Sequence, residues 1–468
     1  MSEDSKNKFL DVLLALYLCA ETDIVNEIAR LRALGLVDYH AEAALERVQG
    51  ILQQMQNESF SYIPQMVERE FYVNNPSARR IEGNIKETVE KHLAGYRNAL
   101  SIEEIALVEQ LSADLSAKVL QASQTVQQTL TNVLVGRREP DIFVAGVRQA
   151  VAYNQVMGLN SLRNIEDLVI TLQQQGVTAF VDKAGHRWSL HTYLGMATRT
   201  TRRQAEITAV LTADPEHDLY KISSHNTVCP LCAPYEGRVY SRSGRDPDFP
   251  PLAAAFGKID PNGADDLSNT WLNIHPNCLH VLMPWTDAGM TEEEIAKVKE
   301  FSSFASNPPD IDPRTEKQRE RYREQERKRR QSLDTYKQWA RYRLALGDKV
   351  PKNWQTFARH KLTNDEVYKN WLWEYRLFNK MQSFQPLIGQ MTSTGIEITG
   401  ISQHFVERAV SRNFSAEAAL NALQSPLKIG IIKMDENGGQ SQRFTGVGAA
   451  VVINPVTGKL ITGWRTKK

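Results

Sequence analysis

The chain has 468 residues, 56 basic and 55 acidic side chains, 41% hydrophobic and 24% charged content, and four cysteines. That length exceeds one ordinary core and predicts roughly two to four domains. The balanced charge excludes a globally basic or acidic binder, and four cysteines in a chain this long exclude a disulfide scaffold.

The first apolar run, FLDVLLALYLC at 9–19, is interrupted by Asp11, and no small-residue cleavage site follows it. It is too short to span a bilayer and reads as the buried stripe of a helix. No export signal or membrane anchor is visible, so the reducing cytoplasm is the default compartment. Residues 1–175 are predicted helical nearly throughout. EEIALVEQLSADLSAKVLQASQTVQQTLTNVL at 103–134 carries apolar residues at three- and four-residue spacing without Gly or Pro. Such helices suggest an extended bundle. Residues 177–188 read as a hairpin turning at 182–185, with a helix from about Leu190.

Residues 220–290 are dense in Gly and Pro and are expected to be irregular. Residues 301–313 read as a linker, and 315–346 as a solvated helix. From 314 to 330 there are nine basic and four acidic side chains, a net of +5. Two readings stand: an exposed helix laced with i,i+4 ion pairs, or contact with DNA or an acidic protein surface. A Trp- and Tyr-rich helical piece at 351–385 precedes a small domain with strand pattern at 391–468.

Three of the four cysteines lie in two short fragments, VCPLCAPYEG at 228–237 and IHPNCLH at 274–280. Cys229 and Cys232 are spaced C-x2-C, and Cys278 with His280 forms C-x-H; His275 is a spare donor. Four N/S donors from two tight turns suit a closed, structural zinc site with no position for a reacting water. A redox C-x-x-C is disfavoured by Pro230 and Pro234, which obstruct a following helix. A zinc deaminase would need His40-Ala41-Glu42 beside a differently placed proline. A metal-free cluster of hydrogen-bonded thiols and imidazoles also stays open. No His-Glu-x-x-His occurs.

KISSHNTVCPLCAPYEGRVYSRSG at 221–244, then FPPL, then HPNCLHVLMPW at 275–285, resembles the core of phage Mu F-like minor head proteins, in the minor capsid protein 2 branch. GVTAFVDKAGHRWSLHTYLGMATRTTRRQA upstream and YREQERKRR downstream extend the resemblance over about 160–340. Many relatives carry Arg where this chain has Leu279. The resemblance implies head morphogenesis, placement in the capsid interior near the portal, and portal and capsid proteins as partners. Arg199, Arg202 and Arg203 are then structural or partner-binding.

In ISQHFVERAVSRNFSAEAALNAL at 401–423, two short helices are expected, separated near Asn413, with Ser415 as the second N-cap. His404, Glu407, Arg408 and Arg412 fall at i, i+3, i+4 and i+8 on one face. Strands follow at 427–434 and 442–466, with Asn454, Pro455 and Gly458 forming a hairpin turn. Leu460, Thr462 and Trp464 are expected to share a face. This inventory suits metal-independent RNA cleavage. His404 would serve as base or acid, with Glu407 orienting it or sharing the proton work. Arg408, Arg412 and Arg443 would hold phosphate, and Thr462 a phosphate oxygen or ribose. The plainer reading is a surface ion-pair face.

The order H…ER…R, SPLKI, RFTG, VVINPVTGKLITGW resembles the barnase–EndoU–colicin–RelE (BECR) nuclease superfamily over about 395–468. That resemblance implies a toxin-like ribonuclease with RNA as substrate and an immunity protein as a further partner.

The expectation is therefore a mainly α multidomain chain. A helical, portal- or head-contacting region covers 1–175. A minor capsid core with a zinc-knuckle-like α+β fold covers 176–300, and a linker with charged helices covers 301–390. An α+β BECR-like nuclease domain covers 391–468. The expected locations are the virion and the bacterial host cytoplasm, with no membrane. The alternatives are a purely structural head protein with a non-catalytic C-terminal module, and a bacterial polymorphic toxin using a capsid-like delivery part.

Overall fold

Heptad-like spacing of apolar residues builds the N-terminal part. The structure, a computed structural model, describes residues 7–33, 39–74, 95–98, 100–135, 172, 176–182, 185–436 and 438–466. The chain divides into two compact units, 1–337 and 338–468.

In the first unit, helices α1 (Lys8–Ala33), α2 (Tyr39–Asn74), α3 (Ile102–Val135) and α4 (Leu190–Ala213) form a bundle. On α3 the buried residues Val108, Leu115, Val119, Ala122, Val126 and Leu130 recur at three, four or seven residues, one stripe of a 3.6-residue helix. The helical expectation for 1–6, 34–38, 75–94, 99, 136–171 and 173–175 lies outside the described residues. Helix α4 belongs to this bundle although it follows the expected boundary at 175/176. Glu21 accepts hydrogen bonds from the backbone N–H of His191 and faces its Nδ1 at 2.8 Å. Arg202 pairs with Glu70 on α2 at 3.2 Å. The hairpin is present as β1 (Thr178–Val181) and β2 (Arg187–Ser189), with Gly185 at φ +84° in its turn.

The Gly/Pro-dense segment, expected to be irregular, contains a three-stranded antiparallel sheet. Its strands are β3 (Leu219–Ile222), β4 (Val239–Ser241) and β5 (Leu282–Pro284), with β3 central. The strands have only three or four residues each, too short for alternation to show in sequence. Tyr220, Ile222, Tyr240, Leu252 and Leu282 form its core with Ile207 and Leu211 of α4. The segment read as a linker is tied to this sheet over its first half. After α5 (Glu292–Ser302), Arg238 donates to the Asn307 carbonyl at 2.7 Å and its guanidinium lies over Phe301 and Phe304. The charged helix α6 (Glu316–Leu346) carries ion pairs Arg327–Glu324, Lys328–Glu324 and Arg329–Glu326, the laced pattern that the spacing predicts.

In the second unit, α7 (Trp354–Thr363) and α8 (Glu366–Phe384) precede the C-terminal α+β fold. Phe384 and Leu387 share a core with Phe405, Phe414, Leu423, Phe444 and Val451, so the boundary expected at 390/391 falls inside this unit. Strands β6 (Gly400–Ile401), β7 (Lys428–Ile429), β9 (Gln440–Thr445), β10 (Ala450–Ile453) and β11 (Lys459–Trp464) order as β6-β11-β10-β9-β7, and β8 (Lys433–Met434) also pairs with β9. Helices α9 (Gln403–Ser411) and α10 (Ala416–Gln424) cover one face. Each has the serine N-cap its sequence offers: Ser402 accepts from Phe405 N–H and Ser415 from Ala418 N–H. Asn413, at φ +46°, turns the chain between them.

Candidate functional site

Strand β3 explains how two fragments some forty residues apart meet. The Cys229 turn leaves β3 and returns through β4, while the Cys278 turn leads directly into β5, on the other side of β3. Within the first turn, Ala233 N–H donates to the Cys229 carbonyl and Glu236 N–H to the Cys232 carbonyl, both at 3.1 Å. In the second, Asn277 adopts φ +66° and Cys278 N–H donates to the His275 carbonyl. The donors turn inward, and the intervening Leu231 and Leu279 point to solvent.

Five donors converge here rather than four. His275 Nε2 lies 3.4 Å from Cys229 Sγ and 3.0 Å from Cys232 Sγ. Cys232 Sγ is 3.7 Å from Cys278 Sγ, and Cys278 Sγ is 3.5 Å from His280 Nδ1. Two triads result, Cys229–Cys232–His275 and Cys232–Cys278–His280, joined at Cys232. A tetrahedral ion about 2.3 Å from sulfur and about 2.1 Å from nitrogen holds two sulfurs about 3.8 Å apart and a sulfur–nitrogen pair about 3.6 Å apart. Three of the observed separations lie near those values, while His275 Nε2 and Cys232 Sγ, at 3.0 Å, stand closer than an ion between them would hold them.

His275, the spare donor in the sequence, is oriented as metal-binding imidazoles are. Its Nδ1 donates to the Pro276 carbonyl at 2.6 Å, which leaves the Nε2 lone pair facing two thiols. His280 is buried, and its Nε2 lies 3.8 Å from Glu236 Oε1 without a hydrogen bond.

The sulfurs titrate unequally. The Cys232 thiol beside it, and then His275, hold Cys229 down to about 3. Cys232 and then His280 hold Cys278 down to about 4, while Cys232 itself, between the other two sulfurs, is pushed up. A cation would bind the two thiolates and displace the proton that Cys232 retains.

Residues that no motif signals support this cluster. Glu236 accepts the N–H groups of His225 and Thr227, the latter at 2.9 Å. Arg203 on α4, itself paired with Glu206, donates to the Cys278 carbonyl at 3.3 Å. Arg314 donates to the Val228 carbonyl at 2.7 Å, anchoring the chain ahead of α6 beside Cys229. Arg202 and Arg203 thus both make contacts within the first unit.

The C-terminal candidates fall into two groups. On α9, Arg408 Nε donates to His404 Nε2 at 3.4 Å, and Glu407 accepts from Gln403 at 3.0 Å. Among the described residues, no hydrogen bond joins Glu407 to His404. Arg443 and Thr462 both lie opposite Val452, on the neighbouring strands β9 and β11. They share the sheet face away from the helices, because the alternate row Phe444–Val451–Gly463 faces Phe405 and Phe414.

The expected common face of Leu460, Thr462 and Trp464 is broken. Leu460 opposes Ile453 and Thr462 opposes Val452, so Ile461 is an extra residue in β11. That bulge sends Leu460 into the core and Thr462 with Trp464 to the open face. Arg412 Nη1 reaches the Gly463 carbonyl at 3.4 Å, next to Thr462 in the chain. Among the described residues, no hydrogen bond or ion pair joins His404, Glu407 or Arg408 to Arg443 or Thr462.

No helix among the described residues is long and apolar enough to cross a membrane. No curated protein and no solved structure matches the chain. The family model for phage minor capsid protein 2 matches residues 3–339, a span that holds the helical bundle, the whole thiol–imidazole cluster and most of α6, and ends before the C-terminal sheet. That span is well over half of the 468 residues, and the chain belongs to the phage minor capsid protein 2 family.

Proposed function

We propose that this minor capsid protein works in head morphogenesis with portal and capsid partners, and that residues 391–468 are a metal-independent ribonuclease cargo. The observation that carries the nuclease reading is the open face of the C-terminal sheet. Lys428, Thr445, Ala450 and Trp464 form one cross-strand row, Arg443, Val452 and Thr462 the next, and Lys433 with Ser441 a third. Lys428, Lys433 and Arg443 have no ion-pair partner among the described residues. Unpaired cations with hydroxyls and an indole between them suit a phosphodiester chain with stackable bases. His404 would take or return the 2′-hydroxyl proton with Arg412 on the phosphoryl charge, and Arg443 would hold phosphates of the RNA chain along the open face. The BECR resemblance supports the same reading, and an immunity protein would then protect the producing cell.

A second reading, a non-catalytic RNA-binding module, is favoured by one observation. His404 and Arg408 lie on the helical layer, while Arg443 and Thr462 lie on the far side of the sheet. Incubating the full chain with a tRNA pool and with total RNA, in EDTA, separates the two. Cleavage abolished by His404→Ala and by Arg443→Ala supports the nuclease. Binding without cleavage supports the module.

In the first unit, we assign the thiol cluster one structural zinc. Cys229, Cys232 and Cys278 would be ligands, and His275 would take the fourth position that the spacing first offered to His280. His280 would then steady Cys278 through its Nδ1. The donor set and the His275–Pro276 hydrogen bond support this reading. Elemental analysis of the full chain tests it: about one zinc per chain, retained in His280→Ala and lost in His275→Ala, is expected. Metal well below one equivalent in the wild type would refute it.

A further inference from the structure

The edge of the C-terminal sheet carries an apolar ridge that neither the nuclease chemistry nor the metal site uses. Leu427, Ile429, Ile431, Ile432 and Met434 are 75%, 41%, 80%, 53% and 69% exposed. β7 ends the sheet order and β8 pairs with β9 alone, so among the described residues no strand covers the outer rim of 427–434. The inner rim is occupied: Leu427, Gly430 and Asp435 donate their amides to Thr445, Arg443 and Gly439. Ile429 and Met434 lie on the two edge strands, Leu427 directly before the first and Ile431 and Ile432 on the link between them. Side chains of this size along an open sheet edge are a template for another polypeptide.

The sequence of the ridge indicates which polypeptide. In LKIGIIKMDE, at 427–436, a lysine sits near the start and two acids at the end. A second copy turned antiparallel about a two-fold axis between Ile431 and Ile432 sets Lys428 opposite Asp435, Ile429 opposite Met434, and Ile431 opposite Ile432. Lys433 then faces Gly430, the one position without a side chain, so its cation meets no steric conflict. A parallel arrangement in register would instead place Lys428 on Lys428 and Asp435 on Asp435. Each aliphatic position from Ile429 to Met434 meets another, and each Lys428 meets an acid, which is the self-complementarity a two-fold interface requires.

We propose that residues 427–436 are a homotypic docking edge that joins two copies of this chain antiparallel across their C-terminal sheets. This pairing does not depend on whether the domain cuts RNA. Sedimentation velocity of the full chain over a concentration series tests it. The wild type is expected to show a reversible monomer–dimer equilibrium. Ile431→Asp with Ile432→Asp should weaken dimerisation at least about thirtyfold, as for a hot-spot pair, with an unchanged circular dichroism spectrum. Lys428→Glu should weaken it at low salt and regain part of the loss as salt is added, whereas the wild type should weaken with salt. If the double aspartate variant does not fold, the Lys428→Glu salt series decides alone. A wild type that stays monomeric to its solubility limit overturns the proposal. So does a dimer indifferent to these substitutions.

Discussion

The knuckle region and the C-terminal sheet are held together by opposite means. Around Cys229 and Cys278 the buried groups are polar: three thiols, two imidazoles, and Arg203 with Glu206. These contacts are directional, Cys232 Sγ with His275 and Cys278, and Arg203 with Glu206 and the Cys278 carbonyl, and they accompany a small apolar core of Tyr220, Ile222, Leu252 and Leu282. In the C-terminal domain the interior is aliphatic and aromatic, with Phe384, Phe405 and Phe414 meeting edge to face at centroid distances of 5.1 to 5.8 Å. An apolar core is non-directional and tolerant, which leaves the outer face and edge of the sheet free to carry cations, hydroxyls and the ridge. A directional cluster fails as a unit when one member goes.

The widest contrast should come from Cys232→Ser. Cys232 is common to both triads, so its loss removes a ligand whichever imidazole completes the shell. Structural zinc contributes about 10–16 kcal/mol of apparent binding energy in small zinc-finger peptides. Loss of bound metal and of amide protection over 223–285 is expected, with protection at Phe444 and Val451 unchanged. Retained protection in the knuckle would mean that the cluster needs no ion.

Phe414→Ala reverses the pattern. The ring is buried and packs against Phe384, Phe405 and the Cα of Gly463, where an added Cβ would lie 2.8 Å from Phe414 Cζ. Its removal should cost about 3–5 kcal/mol in chemical denaturation of the second unit, with zinc content unaltered. Arg203→Met comes next. It leaves Glu206, whose carboxyl burial already pushes up, with only the longer Arg202 contact at 3.6 Å, and frees the Cys278 carbonyl. Removing one partner of such a buried pair costs about 3 kcal/mol. The first unit should lose stability and the second should not.

How much of this was legible in the sequence follows the same division. C-x2-C and C-x-H announce a ligand set because coordination needs those atoms at short spacing, whatever the surrounding fold. That His275 and His280 both join the cluster, each in its own triad, was not legible, since it depends on the Asn277 turn and on which ring nitrogen the Pro276 carbonyl engages. Arg203 and Arg314 could not be read as supports, because their partners lie 75 and 86 residues away. In the C-terminal domain the two helices, the Ser415 cap and the Asn454 turn are local and legible in the sequence. The face of Thr462 was not, because one extra residue at Ile461 inverts a period-two pattern without changing composition. The division of the His404 group from Arg443 is a property of strand order, which no single strand encodes.

The smallest effect tests whether polar clasps belong to the knuckle side alone. Asp312 accepts from Arg314 Nε and Nη2 at 2.9 and 2.8 Å, and Arg314 in turn holds the Val228 carbonyl next to Cys229. The Arg314 hydrogen bonds hold the Asp312 carboxyl well below its ordinary range. A depressed carboxyl contributes stability that is fully present above its unfolded value, about 3.9, and is lost as pH falls through the folded value. Acidification from neutrality should therefore leave this clasp intact to below pH 4 and then release it, seen as faster exchange of the Arg314 Nε proton. Asp312→Asn should show the fast exchange already at neutral pH, with zinc still bound, because the acid is not a ligand. The Phe444 amide, behind an apolar core, should not respond to either change. A Phe444 response matching that of Arg314 would mean that the two regions share one cooperative unit.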